Sequence, residues 1–167
     1  MYKRQQPTFE ADKAQAIANV QAILADKPAD MIITTHVCRG NYKSSYLLTG
    51  AYDPVADGLF GQTSYDGYFL EYDDERSGGF EPLKHFANNK GRVVLGLISS
   101  KFPELEDKEA IKARIQEAAK YVPLEQLCLS PQCGFASTEE GNVMTEAQQW
   151  AKVRHVEEIA KEVWGED

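Results

Sequence analysis

From Arg92 to Ser99 the chain runs Val93-Val94-Leu95-Gly96-Leu97-Ile98, with no polar side chain inside the run. Successive side chains on a strand point to opposite faces, so an unbroken apolar run describes a strand covered on both sides, as in a parallel sheet. Met31 to His36, Gly67 to Tyr72 and Gln126 to Ser130 are further strand-like runs. Helical stretches alternate with them. The first follows Thr8, an expected N-cap, with Glu10 and Asp12 at the positive end of its dipole and Ile17, Val20 and Leu24 on one face; Asp26-Lys27-Pro28 stops it. Asp53-Pro54 reads as a capped helix start, and Glu81 to Asn88 as a short helix packing Leu83 and Phe86. Asp107 to Tyr121 carries Ile111, Ile115 and Ala118 on one stripe. The last helix opens on the capping box Thr145-Glu146-Ala147-Gln148 and is expected to bury Trp150, Val153, Val156, Ala160, Val163 and Trp164. This alternation predicts an α/β domain, a parallel (βα)4 sheet with right-handed crossovers.

Candidate chemistry gathers at the ends of these strands. His36 and Cys38 are two apart, so an imidazole and a thiol project to one side at the first strand's end, half of a tetrahedral zinc site. Glu71 closes the second run and Cys133 follows the fourth, each a residue type that zinc accepts. Cys38 to Cys133 is close to three times Cys38 to Glu71, a repeat of roughly 32 residues, the length of one βα unit. The candidates therefore sit at the carboxyl ends of strands, where (β/α)8 barrels assemble their active sites. Asp73, Asp74 and Glu75 are rival ligands to Glu71, whose claim is that it directly ends the apolar run. Cys128 alternates with leucines and reads as a small core residue, and His85 and His155 lie on helices. Arg76-Ser77-Gly78-Gly79 reads as a flexible loop or, less simply, an anion site.

The 167 residues, 43% of them hydrophobic, suit a single domain. A formal charge of −8 without a basic block argues against nucleic acid or an anionic membrane as partner. No apolar run reaches the roughly 20 residues of a membrane span, and Met1 to Pro7 lack the apolar stretch of a signal peptide. Three cysteines without regular spacing do not make a disulfide framework, so the expected location is the cytoplasm, with thiols free to bind metal. No phosphate-cradling glycine loop occurs.

Thr35-His36-Val37-Cys38-Arg39-Gly40-Asn41, Leu70-Glu71-Tyr72-Asp73-Asp74-Glu75-Arg76-Ser77-Gly78 and the stretch Cys128 to Asn142, with Ser130-Pro131-Gln132-Cys133-Gly134, resemble the cobalamin-independent methionine synthase superfamily. They are most similar to its shorter, single-barrel bacterial members. The resemblance covers nearly the whole chain, residues 1–167, but only the C-terminal half of the family's (β/α)8 barrel. It implies zinc held by His36, Cys38, Glu71 and Cys133, and methyl transfer from 5-methyltetrahydrofolate, or a related donor, to the zinc-bound thiol of homocysteine, giving methionine. Two departures are visible. Where methionine synthase has a histidine proposed as proton donor, this chain reads Ile98-Ser99-Ser100-Lys101; Ser99 is the only candidate there and a poor general acid. The acidic residues that hold the homocysteine amino group belong to the other half of the barrel. A half-barrel leaves open sheet edges, so self-association, an N-terminal continuation or a second chain completing the barrel is expected. Alternative readings are a thiol alkyltransferase with another substrate and a non-catalytic zinc-binding half-barrel.

Overall fold

The computed structural model describes residues 8–165, so the reading of Met1 to Pro7 lies outside the described residues. Its core is one parallel sheet, order β1-β2-β3-β4, formed by β1 (Thr34–Val37), β2 (Gly67–Glu71), β3 (Arg92–Ile98) and β4 (Leu127–Pro131). Helices α1 (Phe9–Ala25), α2 (Ala56–Leu59), α3 (Lys108–Ala118) and α4 (Glu146–Trp164) alternate with the strands, joined by a 3-10 segment at Glu81–Phe86. The expected α/β class and the parallel (βα)4 order are the observed ones.

Register fixes which side chains share a face. Tyr68 pairs with Val93, and Leu70 with Leu95, which pairs in turn with Leu129. These residues alternate in phase and join a core with Phe60, Phe80, Leu83, Phe86, Ile111, Ile115 and Ile159. The opposite face is the inner one. It carries His36 beside Phe69, Val94 and Cys128 in one row, and Glu71 beside Gly96 and Ser130 in the next. Phe69 is 38% exposed there, and Cys128 is half-buried on this face rather than in the core.

Several local expectations need correction. β1 starts at Thr34, not Met31, because the ladder begins opposite Gly67. Ile33 N–H instead donates to the Asp66 carboxylate at 2.7 Å, and Met31 and Ile32 stand exposed. Asp53-Pro54 belongs to a turn closed by Val55 N–H on Tyr52 O (2.9 Å), which delays α2 to Ala56. Thr8 precedes α1 but spends its hydroxyl on Asp12 Oδ2 rather than on a backbone N–H. In α4 the capping box forms, yet the buried residues are Lys152, His155 and Ile159, while Trp150 is 50% exposed. The cause is polar. Lys152 Nζ donates to Glu106 Oε1 (2.8 Å) and His155 Nε2 meets Glu106 O (2.8 Å), turning these residues inward. Trp164 does reach the core, its indole N–H donating to Leu124 O at 3.0 Å.

Gly96 has a steric reason to be glycine. A Cβ there would lie 2.7 Å from Leu70 O and 2.8 Å from Gln132 Cα, both backbone atoms with no freedom to yield. Gly96→Ala is therefore expected to destabilise the chain by about 1–3 kcal/mol, as overpacking does. Urea unfolding of the two proteins checks it, an unchanged midpoint being the contrary result.

Candidate metal centre

Each candidate side chain is delivered by the carboxyl end of a strand. His36 lies on β1 and Cys38 one residue past it; Glu71 is the last residue of β2; Cys133 follows β4 by two residues. β1 and β4 are opposite edges of the sheet, yet Cys38 Sγ and Cys133 Sγ stand 3.6 Å apart. The turn Gln132-Cys133 makes this possible by folding back over Gly96, with Gln132 N–H donating to Ile98 O at 2.8 Å. Gln132 is pinned further by Lys101 Nζ (2.8 Å) and Ser100 Oγ (3.2 Å), both donating to its Oε1.

One donor atom from each of His36, Cys38, Glu71 and Cys133 lies within 4.8 Å of all the others. Cys133 Sγ is 3.5 Å from His36 Nε2 and donates its S–H to Glu71 Oε1 at 2.7 Å; His36 Nε2 is 3.7 Å from the same oxygen. Of the three rivals to Glu71, Asp73 and Asp74 are instead paired with Arg76, and Glu75 is outside the cluster. Burial first, and then the adjacent Glu71 carboxylate, push the Cys133 thiol well above its ordinary range. Cys38 is exposed, and Gly40 N–H donates to its sulfur at 3.2 Å. A cleft of about 320 Å³ opens beside the cluster, lined by His36, Phe69, Ser130 and Cys133 among others.

Glu71 has no solvent exposure, and residues that sequence reasoning did not single out compensate it. Arg39 N–H donates to Oε2 at 3.0 Å, and the Arg39 guanidinium approaches the same oxygen at 3.9 Å. Tyr52 Oη accepts the Glu71 N–H at 2.8 Å; burial pushes its phenol up to about 12 against the pull of Arg39, so it stays protonated. The available signal was Arg39 directly following a candidate ligand and preceding a glycine. Ser99 stands just past β3, its N–H donating to Glu106 Oε1 (2.9 Å) and its hydroxyl accepting from Lys101 N–H (3.3 Å). It is not among the four converging donors. His85 is exposed and His155 is buried against Glu106, away from the cluster.

A family profile described as "Cobalamin-independent synthase, Catalytic domain" matches residues 1–161. The chain belongs to this family. Two Bacillus subtilis (strain 168) proteins of this likeness, the uncharacterized YxjG and YxjH, are 56% identical over 146 residues and 57% over 141. The matches cover 87% and 84% of this chain but 39% and 37% of theirs. A Listeria monocytogenes protein provisionally named a vitamin-B12-independent methionine synthase superposes with a TM-score of 0.71 at 47% identity, covering 92% of this chain and 42% of that one. A B12-independent methionine synthase from Shewanella sp. W3-18-1, in complex with selenomethionine, shares the fold at a TM-score of 0.71 and 18% identity, over 91% of this chain and 44% of its own. The chain thus spans about two fifths of the length of these relatives. It is a cobalamin-independent methionine synthase-like protein, a (βα)4 half-barrel with a cluster able to hold a metal ion. No helix among the described residues is long and apolar enough to cross a membrane.

The two clustered thiols differ in access, and burial with the Glu71 contact raises the pKa of Cys133. With metal removed, iodoacetamide at neutral pH is expected to label Cys38 well before Cys133, because a raised pKa leaves little Cys133 thiolate. Peptide mass spectrometry over a time course reads the order, and faster labelling of Cys133 would contradict it.

Proposed function

We propose that this chain carries the zinc-binding half of a methyltransferase acting on homocysteine, with 5-methyltetrahydrofolate or a related donor supplying the methyl group of methionine. The observation that carries the reading is the convergence of His36, Cys38, Glu71 and Cys133 on one point. Two sulfurs, one nitrogen and one oxygen form a donor set suited to zinc, and bonds of about 2.0–2.3 Å make tetrahedral edges of roughly 3.3–3.8 Å. The contacts at 3.5, 3.6 and 3.7 Å fit those edges. The shorter Cys133–Glu71 contact is a thiol-to-carboxylate hydrogen bond, which loss of the thiol proton on metal uptake would release.

Zinc, when bound, would lower the pKa of a substrate thiol and present it as an oriented nucleophile at neutral pH. The chain's own residues do the rest. Glu71 offers Oε1 to the centre while its other oxygen is held by Arg39. Cys38 and His36 close the β1 side, and the cleft against Phe69 and Ser130 leaves room for a small thiol. Ser99 shapes the segment past β3 in this reading, and its hydroxyl is a poor acid. Free thiols in the cluster suit a reducing compartment, the cytoplasm.

One observation favours a second reading, a zinc-binding half-barrel that is inactive alone. Among the described residues β1 and β4 each pair on one side only, and Phe69 is exposed on the inner face. The proposed partners are therefore the small thiol and the methyl donor as substrates, and a second copy or another chain of βα units to complete the barrel.

Elemental analysis of protein purified without chelator is expected to give about one zinc per chain. Cys133→Ser should lose most of it while keeping the far-ultraviolet spectrum, and unchanged zinc in that variant would sink the ligand assignment. Methionine formation is then assayed alone and after mixing with the part of YxjG that this chain does not match. Activity of the chain alone supports the enzyme; activity only after mixing, or a zinc-loaded chain inactive in both assays, supports the second reading, as a half-barrel that needs a partner or as a non-catalytic one. Sedimentation reads self-association, and a stable monomer counts against a second copy as the completing partner.

A further inference from the structure

Arg39 is 6% exposed, follows a metal-ligand candidate directly, and holds more of the site together than any direct ligand does. Its Nε and Nη2 both donate to Gly50 O, at 2.9 and 2.7 Å. Nη1 donates to Tyr52 Oη and to Glu71 O, each at 3.1 Å, and the guanidinium lies over the Tyr52 ring at 4.4 Å. The Arg39 backbone N–H takes Glu71 Oε2. Tyr52 Oη braces the same residue by accepting its N–H. The main chain of Glu71 and one carboxylate oxygen are thus fixed by two residues of a single loop, leaving Oε1 alone facing Cys133 and His36.

We propose that Arg39, braced by Tyr52, is the positioning residue of the metal centre: it fixes Glu71 as a one-oxygen donor and supplies the buried positive charge that balances the site. The inference rests on the zinc reading above. Two thiolates and a carboxylate exceed the charge of a zinc ion by one negative unit, and a guanidinium, which stays protonated in proteins, cancels it. A buried charge without such compensation is strongly unfavourable. The fork of Arg39 suits the task better than lysine would, because it reaches Gly50, Tyr52 and Glu71 at once from a rigid plane. The carboxylate itself is held by the Arg39 backbone N–H, which the fork keeps in place by anchoring on Gly50, Tyr52 and the Glu71 carbonyl. Without that anchoring and the nearby charge the carboxylate is free to turn, to bind through both oxygens or to yield its place to water.

The test compares the wild-type chain with Arg39→Met and Tyr52→Phe. Zinc affinity is read by competition with a chromophoric chelator, ligand geometry by the absorption bands of the cobalt(II)-substituted proteins, and stability by melting of the metal-free forms. Arg39→Met is expected to bind zinc roughly 10–100-fold more weakly, the usual effect of losing a group that orients a ligand, and to shift the cobalt bands. Tyr52→Phe should move both in the same direction by less. An Arg39→Met protein with unchanged affinity and bands overturns the proposal. So does a loss of affinity matched by a lower metal-free melting temperature with unchanged bands, which marks a purely structural role. If Arg39→Met does not fold, Tyr52→Phe decides by the same criteria. A wild-type chain that takes up no zinc overturns the zinc reading and this inference with it, whereas a variant result beside a zinc-binding wild type isolates the inference.

Discussion

The close approach of two backbones at Gly96 is the constraint on which the site depends. β1 and β4 are three strand spacings apart, roughly 14 Å in a flat sheet. Side chains at their ends would not meet across that span unless the sheet curled and the chain after β4 turned inward. Both conditions converge on Gly96, which lies between Glu71 and Ser130 in register and has the Gln132 main chain above the position its side chain would occupy. The missing Cβ is what lets Cys133 cross toward β1. The 3.6 Å sulfur–sulfur distance is thus a property of the sheet, and the cysteines inherit it.

The second constraint is electrostatic. A fully buried carboxylate is costly unless donors surround it, and beside the Cys133 S–H on Oε1 Glu71 has further donors to Oε2 and to its carbonyl. Those donors come from Arg39 and Tyr52, at the two ends of the loop after β1. This explains why that loop departs from the expected helix start at Asp53. Tyr52 is drawn into the Arg39–Glu71 network, Val55 closes a turn on its carbonyl, and α2 is left with four residues. Local capping chemistry yields where a buried charge must be matched.

The same competition separates what was legible in the sequence from what was not. His36 and Cys38 in strand phase, Glu71 at the end of an apolar run and the Thr145 box are short-range signals, and each is realised in the fold. The inward face of α4 was legible only in part: Val156, Val163 and Trp164 pack against the core as expected, whereas the helix also buries Lys152 and His155 against Glu106. Nothing local announces that a lysine will be paired across 46 positions of sequence. The start of β1 failed for a related reason: Ile33 finds its partner in the Asp66 side chain instead of the ladder. Arg39 was visible as a residue but not as a buried one, since its partners Gly50, Tyr52 and Glu71 meet only in the folded chain.

Metal binding and substrate completeness separate cleanly in this architecture. All four donor candidates come from β1, β2 and the turn after β4, and the groups that orient Glu71 come from the loop after β1, so the cluster is assembled within one (βα)4 unit. The inner sheet face is different. Phe69 stands in the row of His36, Val94 and Cys128 with more than a third of its surface in solvent, on a face whose rows in a closed barrel are filled from alternate strands around the ring. Phe69 also lines the cleft that holds His36 and Cys133. A complementary βα unit placed there would bury Phe69 and wall the cleft in the same step. In the function proposed above, barrel closure would then complete a substrate pocket around a donor cluster that this half already assembles.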